Sequence, residues 1–475
     1  MAKKLIISIC LLVYISTLIS CSRVEKSKEP EQLKDCSVLL ITLDSLTARY
    51  LSCYGYRRNT SPYLDKFANR HVRFTQAFSQ SFYSGPSHAS LLSSLYPRNH
   101  GAFRNSVWMD EEALCLQEIL KANGYKTGAV VNTKLLGELF NFDQGFDFFE
   151  RAEGHPERKE YDAAYNDLFW LAERWIGKNK DSKFFFWLHC NYIHSFYKPG
   201  KAYQNLWYSE EELEKMDIKI RYYHHRDMIR ARGKGILTPD EVNYAKSQYD
   251  GQIVQTDELL HRFLTKVEKL VPLEDLLIIV TSDHGEIFDF RNNRFGHGHY
   301  LYEDVIHIPL IMALPPLDGR QFENLVIHED VQGIDIAPTI LDLLGIDVPA
   351  VFQGISFADF FRKQPRRIHS ELILGVGIVD EPVCIRKEGW KLIYYNDEKM
   401  EVYDTKKDTH EDWNLAPSRP EQLESLLTLY KRWTRFVPHY DFAKLREKRQ
   451  KLTPEIIEIL KKAGYLEDET DLKRR

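Results

Sequence analysis

Five polar residues in this chain stand beyond four apolar runs, and their types could support nucleophilic chemistry together. Asp44 follows SVLLITL, Asp283 and His284 follow LLIIVTS, His194 comes shortly after FFFWLHC, and Ser84 lies in the loop after VRFTQAF. Carboxylates supply hard oxygen ligands and a neutral imidazole a borderline nitrogen, so Asp44, Asp283 and His284 suggest a divalent-cation site. Ser84 opens SGPSHASLLSSL, in which Pro86 suits the first helical position and Leu91, Leu92 and Leu95 form an apolar stripe. A hydroxyl at a helix N-terminus meets backbone N–H groups and the positive end of the helix dipole, which favours an anionic nucleophile and an anionic substrate together. A cation on the same oxygen would depress its pKa further. Each residue also has a plainer use. A lone Asp after a strand ordinarily caps a helix or makes an Asx-turn, and Ser84 could simply cap its own helix. The combination is what points to chemistry.

The elements that must position these groups are legible as patterns. SVLLITL (37–43), TGAVV (127–131), FFFWLHC (184–190), LLIIVTS (276–282) and IHIPLIMAL (306–314) lack polar alternation. They read as strands covered on both faces, as in a parallel or mostly parallel sheet. Helical patterns lie between them: EEALCLQEILKANGY ending at Gly124, YDAAYNDLFWLAERWIG ending at Gly177, and a long segment opened by the start signal Thr-Pro-Asp-Glu at 238–241. Strand–helix alternation predicts an α/β sandwich, and in open sheets of this kind ligands bind beyond the carboxyl ends of the strands. Residues 203–237 are charged and irregular and read as an insertion over one end of the sheet. A helix in DIAPTILDLLGI closes the large domain. After about Pro365, EPVCIRKEGWKLIYYN and KMEVYDT read as antiparallel strands, and RPEQLESLLTLYKRW as a terminal amphipathic helix.

The bulk properties exclude several classes. The 475 residues are 43% hydrophobic and 28% charged, enough for one large domain and a smaller one. The net charge of -5 argues against nucleic acid as a partner, because phosphate binding needs clustered Lys and Arg. Of the seven cysteines, Cys36, Cys53, Cys115, Cys190 and Cys384 are scattered without C-x-x-C spacing. That set is neither a disulfide framework nor a zinc site and predicts buried thiols. At the other end of the chain, MAKK followed by LIISICLLVYISTLIS is a positive n-region and an apolar stretch short for a spanning helix. It ends LISC, which resembles the bacterial lipoprotein signal cut before a lipidated cysteine. Residues 1–20 would be the signal peptide, Cys21 the lipidated N-terminus and 21–35 a polar tether. This implies a lipid-anchored protein of a bacterial cell envelope, facing the periplasm or the surface.

LLITLDSLTARYLSCYGYRRNTSPYLDKFA, SGPSHASLLSSLYPRNHG, WLHCNYIHSFYKP, VTSDHGEIF, GHGHYLYEDVIHIPLIM and DIAPTILDLLGI resemble, in order, the motif series of the sulfatases, within the alkaline-phosphatase superfamily. EVYDTKKDTHEDWNLA is similar to that family's C-terminal signature. The resemblance implies an alkaline-phosphatase-like three-layer α/β sandwich over residues 36–364, with a mostly parallel central sheet and a small C-terminal α+β domain over 365–475. It implies one divalent cation, Ca2+ in most members with Mg2+ or Mn2+ as alternatives, held by Asp44, Asp283 and His284 together with Ser84. Ser84 takes the place of the residue that a formylglycine-generating enzyme oxidises to formylglycine. In that chemistry one hydroxyl of the aldehyde hydrate attacks sulfur, and the other then expels sulfate. His194 would be a general acid near the leaving group. His297 and His299 lie where many members have a substrate-contacting lysine, with His297 counted as catalytic and His299 as substrate-binding.

The departures sharpen the expectation. The family's run at the nucleophile ends in Arg, and here that place is His88, which is counted with the catalytic set. A second acidic ligand beside the first Asp is replaced by Ser45. The family's Gly-Lys-Trp-His stretch aligns with VNTK, so Asn132 falls at the Lys and Lys134 at the His, leaving Lys134 as a substrate-binding candidate. The reading these residues support is a sulfuric ester hydrolase acting on a sulfated small molecule or glycan. One alternative is a phosphodiesterase or phosphonate monoester hydrolase that uses Ser84 directly. Another is an inactive homologue that binds sulfated glycan.

Overall fold

The computed structural model describes residues 32–33, 35–105, 107–152, 167–221, 224–298, 300–317, 319–362, 371–375, 382–437, 454 and 457. The expected signal, Cys21 and the tether up to residue 31 lie outside them, whereas Leu33, near the end of the expected tether, is buried in the core and its N–H donates to the Leu343 carbonyl at 2.6 Å. Among the described residues no helix is long and apolar enough to cross a membrane.

Ten strands in chain order build the large domain: β1 (Ser37–Leu43), β2 (Val72–Phe78), β3 (Lys126–Val131), β4 (Phe148–Arg151), β5 (Phe184–Cys190), β6 (Leu276–Thr281), β7 (Ile287–Asp289), β8 (Arg294–Gly296), β9 (His307–Ala313) and β10 (Leu325–Gln332). Eight of them form one sheet in the order β10-β2-β9-β6-β1-β5-β3-β4, and β7 and β8 form a separate ribbon. The apolar runs lack alternation because both faces are covered. Val38 and Leu40 of β1, Phe185 and Trp187 of β5 and Leu277 and Ile279 of β6 pack on one side. Their neighbours Leu39, Ile41, Phe184, Phe186, Ile278 and Val280 pack on the other. The helices that cover the sheet are α1 (Pro62–Arg70), α2 (Ser84–Ser93), α3 (Leu116–Ala122), α4 (Asp167–Asn179), α5 (His225–Gly233), α6 (Pro239–Leu270) and α7 (Ile336–Leu343). Leu92 of α2, Leu120 of α3 and Ile340 of α7 belong to the first core. Leu64 of α1, Phe169 of α4, Met228 of α5 and Phe263 of α6 belong to the second. The result is a three-layer sandwich.

Two helix boundaries differ from the sequence reading, and one strand departs from the parallel set in the mostly parallel sheet expected. The helix expected from Glu111 begins only at Leu116, because Cys115 and Glu118 close a capping box at that point. The helix expected to stop at Gly177 continues to Asn179. β9 is antiparallel to both neighbours, β2 and β6, whereas β1, β5 and β6 run parallel. Among the described residues no crossover helix returns the chain to the opposite edge between β6 and β9, in keeping with β9 running back. The start signal at 238–241 holds: Thr238 accepts from Glu241 N–H at 3.1 Å, and Glu241 accepts from Thr238 N–H at 3.0 Å.

The C-terminal region is an antiparallel sheet of β11 (Glu371–Gly375), β12 (Val383–Lys387), β13 (Trp390–Tyr394) and β14 (Met400–Asp404), covered by α8 (Pro420–Phe436). A buried ionic network joins it to the large domain. Glu303 accepts from Arg386 Nη1 at 2.5 Å and from Lys391 Nζ at 3.1 Å, and Lys391 Nζ also meets Glu411 Oε1 at 2.7 Å. Glu411 accepts in turn from the Glu303 backbone N–H at 2.6 Å. Two cations and two carboxylates thereby face one another out of water. Replacing one member leaves its partners charged and buried, at a cost of about 3–5 kcal/mol. We predict that Lys391→Met lowers the unfolding free energy by about that amount in a urea titration, whereas Lys407→Met, at an exposed pair with Asp404, leaves it within about 0.5 kcal/mol.

Candidate active site

β1 and β6 are hydrogen-bonded parallel neighbours, with Thr42 opposite Thr281. The residues that follow both strands therefore emerge side by side. Asp44 and Asp283 are each buried at that edge. Ser45, with φ 63, turns the chain so that its N–H donates to Asp283 Oδ1 at 3.0 Å and its hydroxyl to Asp44 Oδ1 at 3.1 Å. The serine found in place of a second acidic ligand thus holds both carboxylates. Tyr249, from α6, donates to the Ser45 carbonyl at 2.7 Å and pins this turn from the helical layer.

His284 supplies the third group. Its Nδ1–H donates to the Gly285 carbonyl at 3.0 Å, which leaves the Nε2 lone pair facing inward. Nε2 lies 3.2 Å from Ser84 Oγ, 3.4 Å from Asp283 Oδ2 and 3.9 Å from Asp44 Oδ1. Asp283 Oδ1 receives the backbone N–H groups of Ser45 and His284, but among the described residues no hydrogen-bond donor reaches Oδ2. Burial first, and then the charge of Asp283, push the Asp44 carboxyl well above its ordinary range. An orphaned carboxylate oxygen, a second carboxylate and an imidazole lone pair converge on one point. That donor set fits a divalent cation.

Ser84 is the first residue of α2, but it is not the cap. Tyr83 occupies that position, and no side-chain capping bond is made. The Gly85 N–H is taken by Asn105 Oδ1 at 2.7 Å and Pro86 has none, so the helix start offers fewer open N–H groups than the sequence implied. Pro86 sits third in the helix, still within the turn whose N–H groups lack intrahelical partners. The Ser84 hydroxyl is left to face His284.

His88 lies one turn further along and is wholly buried. Its Nδ1–H donates to the Ser84 carbonyl at 2.8 Å, and its Nε2 accepts from Thr42 Oγ1 at 3.0 Å. Thr42 accepts in turn from Trp187 Nε1–H at 3.1 Å. Every polar atom of the ring is paired, and burial lowers its pKa, so the ring is neutral in one tautomer. It fixes the backbone of Ser84.

His194 and His297 flank the cluster, 5.2 Å apart between ring centroids. The His297 ring also stacks on His284 at 4.4 Å. Lys134 sits with an exposed side chain in a short turn after β3, Lys134–Leu136, rather than among the buried groups. His299 lies outside the described residues. Three site groups escaped the sequence reading. His189, inside β5, places Nε2 3.5 Å from Asp44 Oδ2. Glu286 is fully buried beside His297 at 3.3 Å, and burial pushes its carboxyl up to about 7. His225 begins α5 in the region read as an insertion. The five described cysteines are free, and all but Cys53 are buried.

Fold and site together define a member of the alkaline-phosphatase superfamily. Within it the chain belongs to the sulfatase family and is a sulfuric ester hydrolase: the family model described as Sulfatase matches residues 37–346. A second model, N-sulphoglucosamine sulphohydrolase, C-terminal, matches residues 292–433. The chain is 23% identical over 490 residues to an N-acetylglucosamine-6-O-sulfatase of Bacteroides thetaiotaomicron, covering 84% of this chain and 85% of the relative. Its fold is similar to that of a protein solved in complex with its substrate D-glucosamine-2-N,6-O-disulfate, with TM-score 0.66, 20% identity and coverage of 86% and 98%. A phosphonate monoester hydrolase of Agrobacterium radiobacter gives TM-score 0.65, 19% identity and coverage of 84% and 96%. The family is metal-dependent, in keeping with the donor set.

Gly285 separates His284 from Glu286 where a Cβ would collide with Thr47 Oγ1 and the Asp304 carbonyl. Alanine there must displace the backbone between His284 and Glu286. We predict that Gly285→Ala weakens divalent-cation binding roughly 10–100-fold, the range seen when a ligand loses its orienting support, in a calorimetric titration of the apoprotein.

Proposed function

We propose that the chain hydrolyses a sulfate ester of a sulfated carbohydrate, with Ser84 at the reacting position and one Ca2+ held by Asp44, Asp283, His284 and Ser84. The observation that carries this reading is the Ser84 hydroxyl 3.2 Å from His284 Nε2, beside two buried carboxylates. The sugar class rests on the N-acetylglucosamine-6-O-sulfatase relative and on the glucosamine disulfate bound by the structural neighbour. A bound cation supplies positive charge that favours the ionised oxygen at position 84 and offsets the charge of the ester. His88 holds the Ser84 carbonyl and so sets where that oxygen points. His194 and His297, whose rings lie beside each other and next to His284, are the candidates to give a proton to the leaving oxygen. Magnesium and manganese compete for the same donors, and metal add-back after chelation ranks the three.

The neutral, fully paired His88 supports an unmodified serine at position 84. It has no N–H left for an aldehyde hydrate, whereas the arginine usual at that place in sulfatases would. Mass spectrometry of the Ser84 peptide from the native host reads this directly: the serine mass is expected, and a loss of two hydrogens means formylglycine. We predict that Ser84→Ala reduces kcat on an aryl sulfate by roughly 10⁴-fold or more without changing the melting temperature. A wild-type protein that cleaves aryl phosphonates or phosphodiesters but no aryl sulfate would instead assign the site to that chemistry. No turnover of either class would leave a glycan-binding homologue.

We further propose a lipid anchor at Cys21 in a bacterial envelope, supported by the LISC sequence after the apolar run. Cys21→Ser is expected to move the protein from the membrane pellet to the soluble fraction, and an unchanged distribution argues for another mode of retention.

A further inference from the structure

Beside the Asp44 cluster lies a second set of ligating side chains that the proposed reaction leaves without a collective role. Glu286 follows His284 by two residues, His297 follows β8, and His225 opens α5. One ligand atom of each lies within 4.8 Å of the other two. The His297 Nδ1 is 3.3 Å from both carboxylate oxygens of Glu286. The carboxylate is wholly enclosed, His297 is 3% exposed and His225 is 9% exposed. The His225 Nδ1 is buried with no hydrogen-bond partner among the described residues. The backbone is shaped to admit this histidine. Gly296 has φ +84, and a Cβ there would lie 2.5 Å from His225 Cδ2 and 2.6 Å from Cγ. The His225 and His297 rings are 5.2 Å apart between centroids.

We infer that His225, Glu286 and His297 form a second divalent-cation site, of the zinc class, next to the one at Asp44, Asp283 and His284. Two imidazole nitrogens and one carboxylate are a borderline donor set, the kind that holds zinc with one position left open for a ligand. The first site is richer in oxygen and suits a harder cation such as Ca2+. The stacked rings of His284 and His297, one from each set, form the wall between them. His297 is stacked on His284, whose Nε2 faces Ser84, so a cation held by the second set would lie next to the reacting group and could supply Lewis-acid character to an ester oxygen there. The insertion that carries His225 thereby contributes to the active centre itself. This inference does not depend on which ester is cleaved.

The test counts ions rather than turnover. Apoprotein of the full chain is dialysed against Ca2+ and Zn2+ together, freed of loose metal, and analysed by elemental mass spectrometry. The wild type is expected to retain one zinc and one calcium per chain. His225→Gln and Glu286→Gln are each expected to weaken zinc by more than the roughly 100-fold that loss of an outer-shell partner costs, and to keep calcium. Gly296→Ala, which removes no ligand but drives His225 from its seat, is expected to lose zinc as well. Asp283→Asn should show the reverse, losing calcium and keeping zinc. Circular dichroism confirms that each variant is folded, and the three substitutions at the second site stand in for one another. A wild type that retains no zinc overturns the inference, as does zinc that survives both His225→Gln and Glu286→Gln or disappears with Asp283→Asn.

Discussion

Two carboxylates taken out of water at the ends of adjacent parallel strands are the constraint around which this active site is built. Asp44 and Asp283 are brought together by the β1–β6 register, and neither can move away without breaking the centre of the sheet. Their mutual repulsion and desolvation are offset only in part by protein groups. The Ser45 and His284 N–H groups satisfy one oxygen of Asp283, while the other is left to His284 Nε2 and His88 Nδ1 at 3.4 and 3.8 Å. Burial and the charge of Asp283 disfavour an ionised Asp44 in so dry a place, and a divalent cation is the group that would let both carboxylates ionise together. The left-handed Ser45, the glycine at 285 and the Tyr249 hydroxyl each serve to hold these oxygens in place.

The identity of residue 88 follows from the same electrostatics. An arginine carries a permanent charge and five donors that must all be matched when buried. The space beneath Ser84 is walled by Trp187 and His189, with Thr42 as the acceptor and donor at its end. A neutral histidine is fully satisfied there by one carbonyl and one hydroxyl. The consequence is one positive charge fewer beside the reacting oxygen than an arginine would bring. Positive or proton-bearing character must then come from the other side of Ser84, where His194, His225 and His297 gather around Glu286.

Much of this was legible in the sequence because burial on both faces leaves an apolar run with polar residues at its end. SVLLITL and FFFWLHC match their strands residue for residue, and the groups just beyond SVLLITL and LLIIVTS do converge. The convergence of Ser84 with them was also foreseen, although the role of its helix start was overstated. What stayed hidden depends on contacts between distant segments. His189 sits within an apolar strand and is seen as polar lining only once the register sets it opposite Thr42. Glu286 could have been noticed as a carboxylate two places past His284, but its burial depends on how the chain folds back through β7 and β8. His225 lies in a charged segment with no apolar period to place it. The direction of β9 likewise follows from the missing crossover, a property of the connection rather than of the strand.

The segment between β6 and β9 concentrates these dependencies. Residues 282–306 carry Asp283, His284, Glu286 and His297, and their position is set from three directions. β6 and β9 hold the two ends in the sheet. Thr47, on the loop after β1, accepts the Glu286 N–H at 2.8 Å and donates to the Asp304 carbonyl at 2.5 Å. Glu303, at the far end, is clasped by Arg386 and Lys391 of the C-terminal sheet. The small domain therefore grips the same loop that bears Asp283, His284, Glu286 and His297, through charges that are costly to separate in a buried setting. Its contribution to the site is mechanical: it fixes the end of a loop whose other residues line the candidate site. The chemistry thus depends on an ionic contact between domains as well as on the sheet.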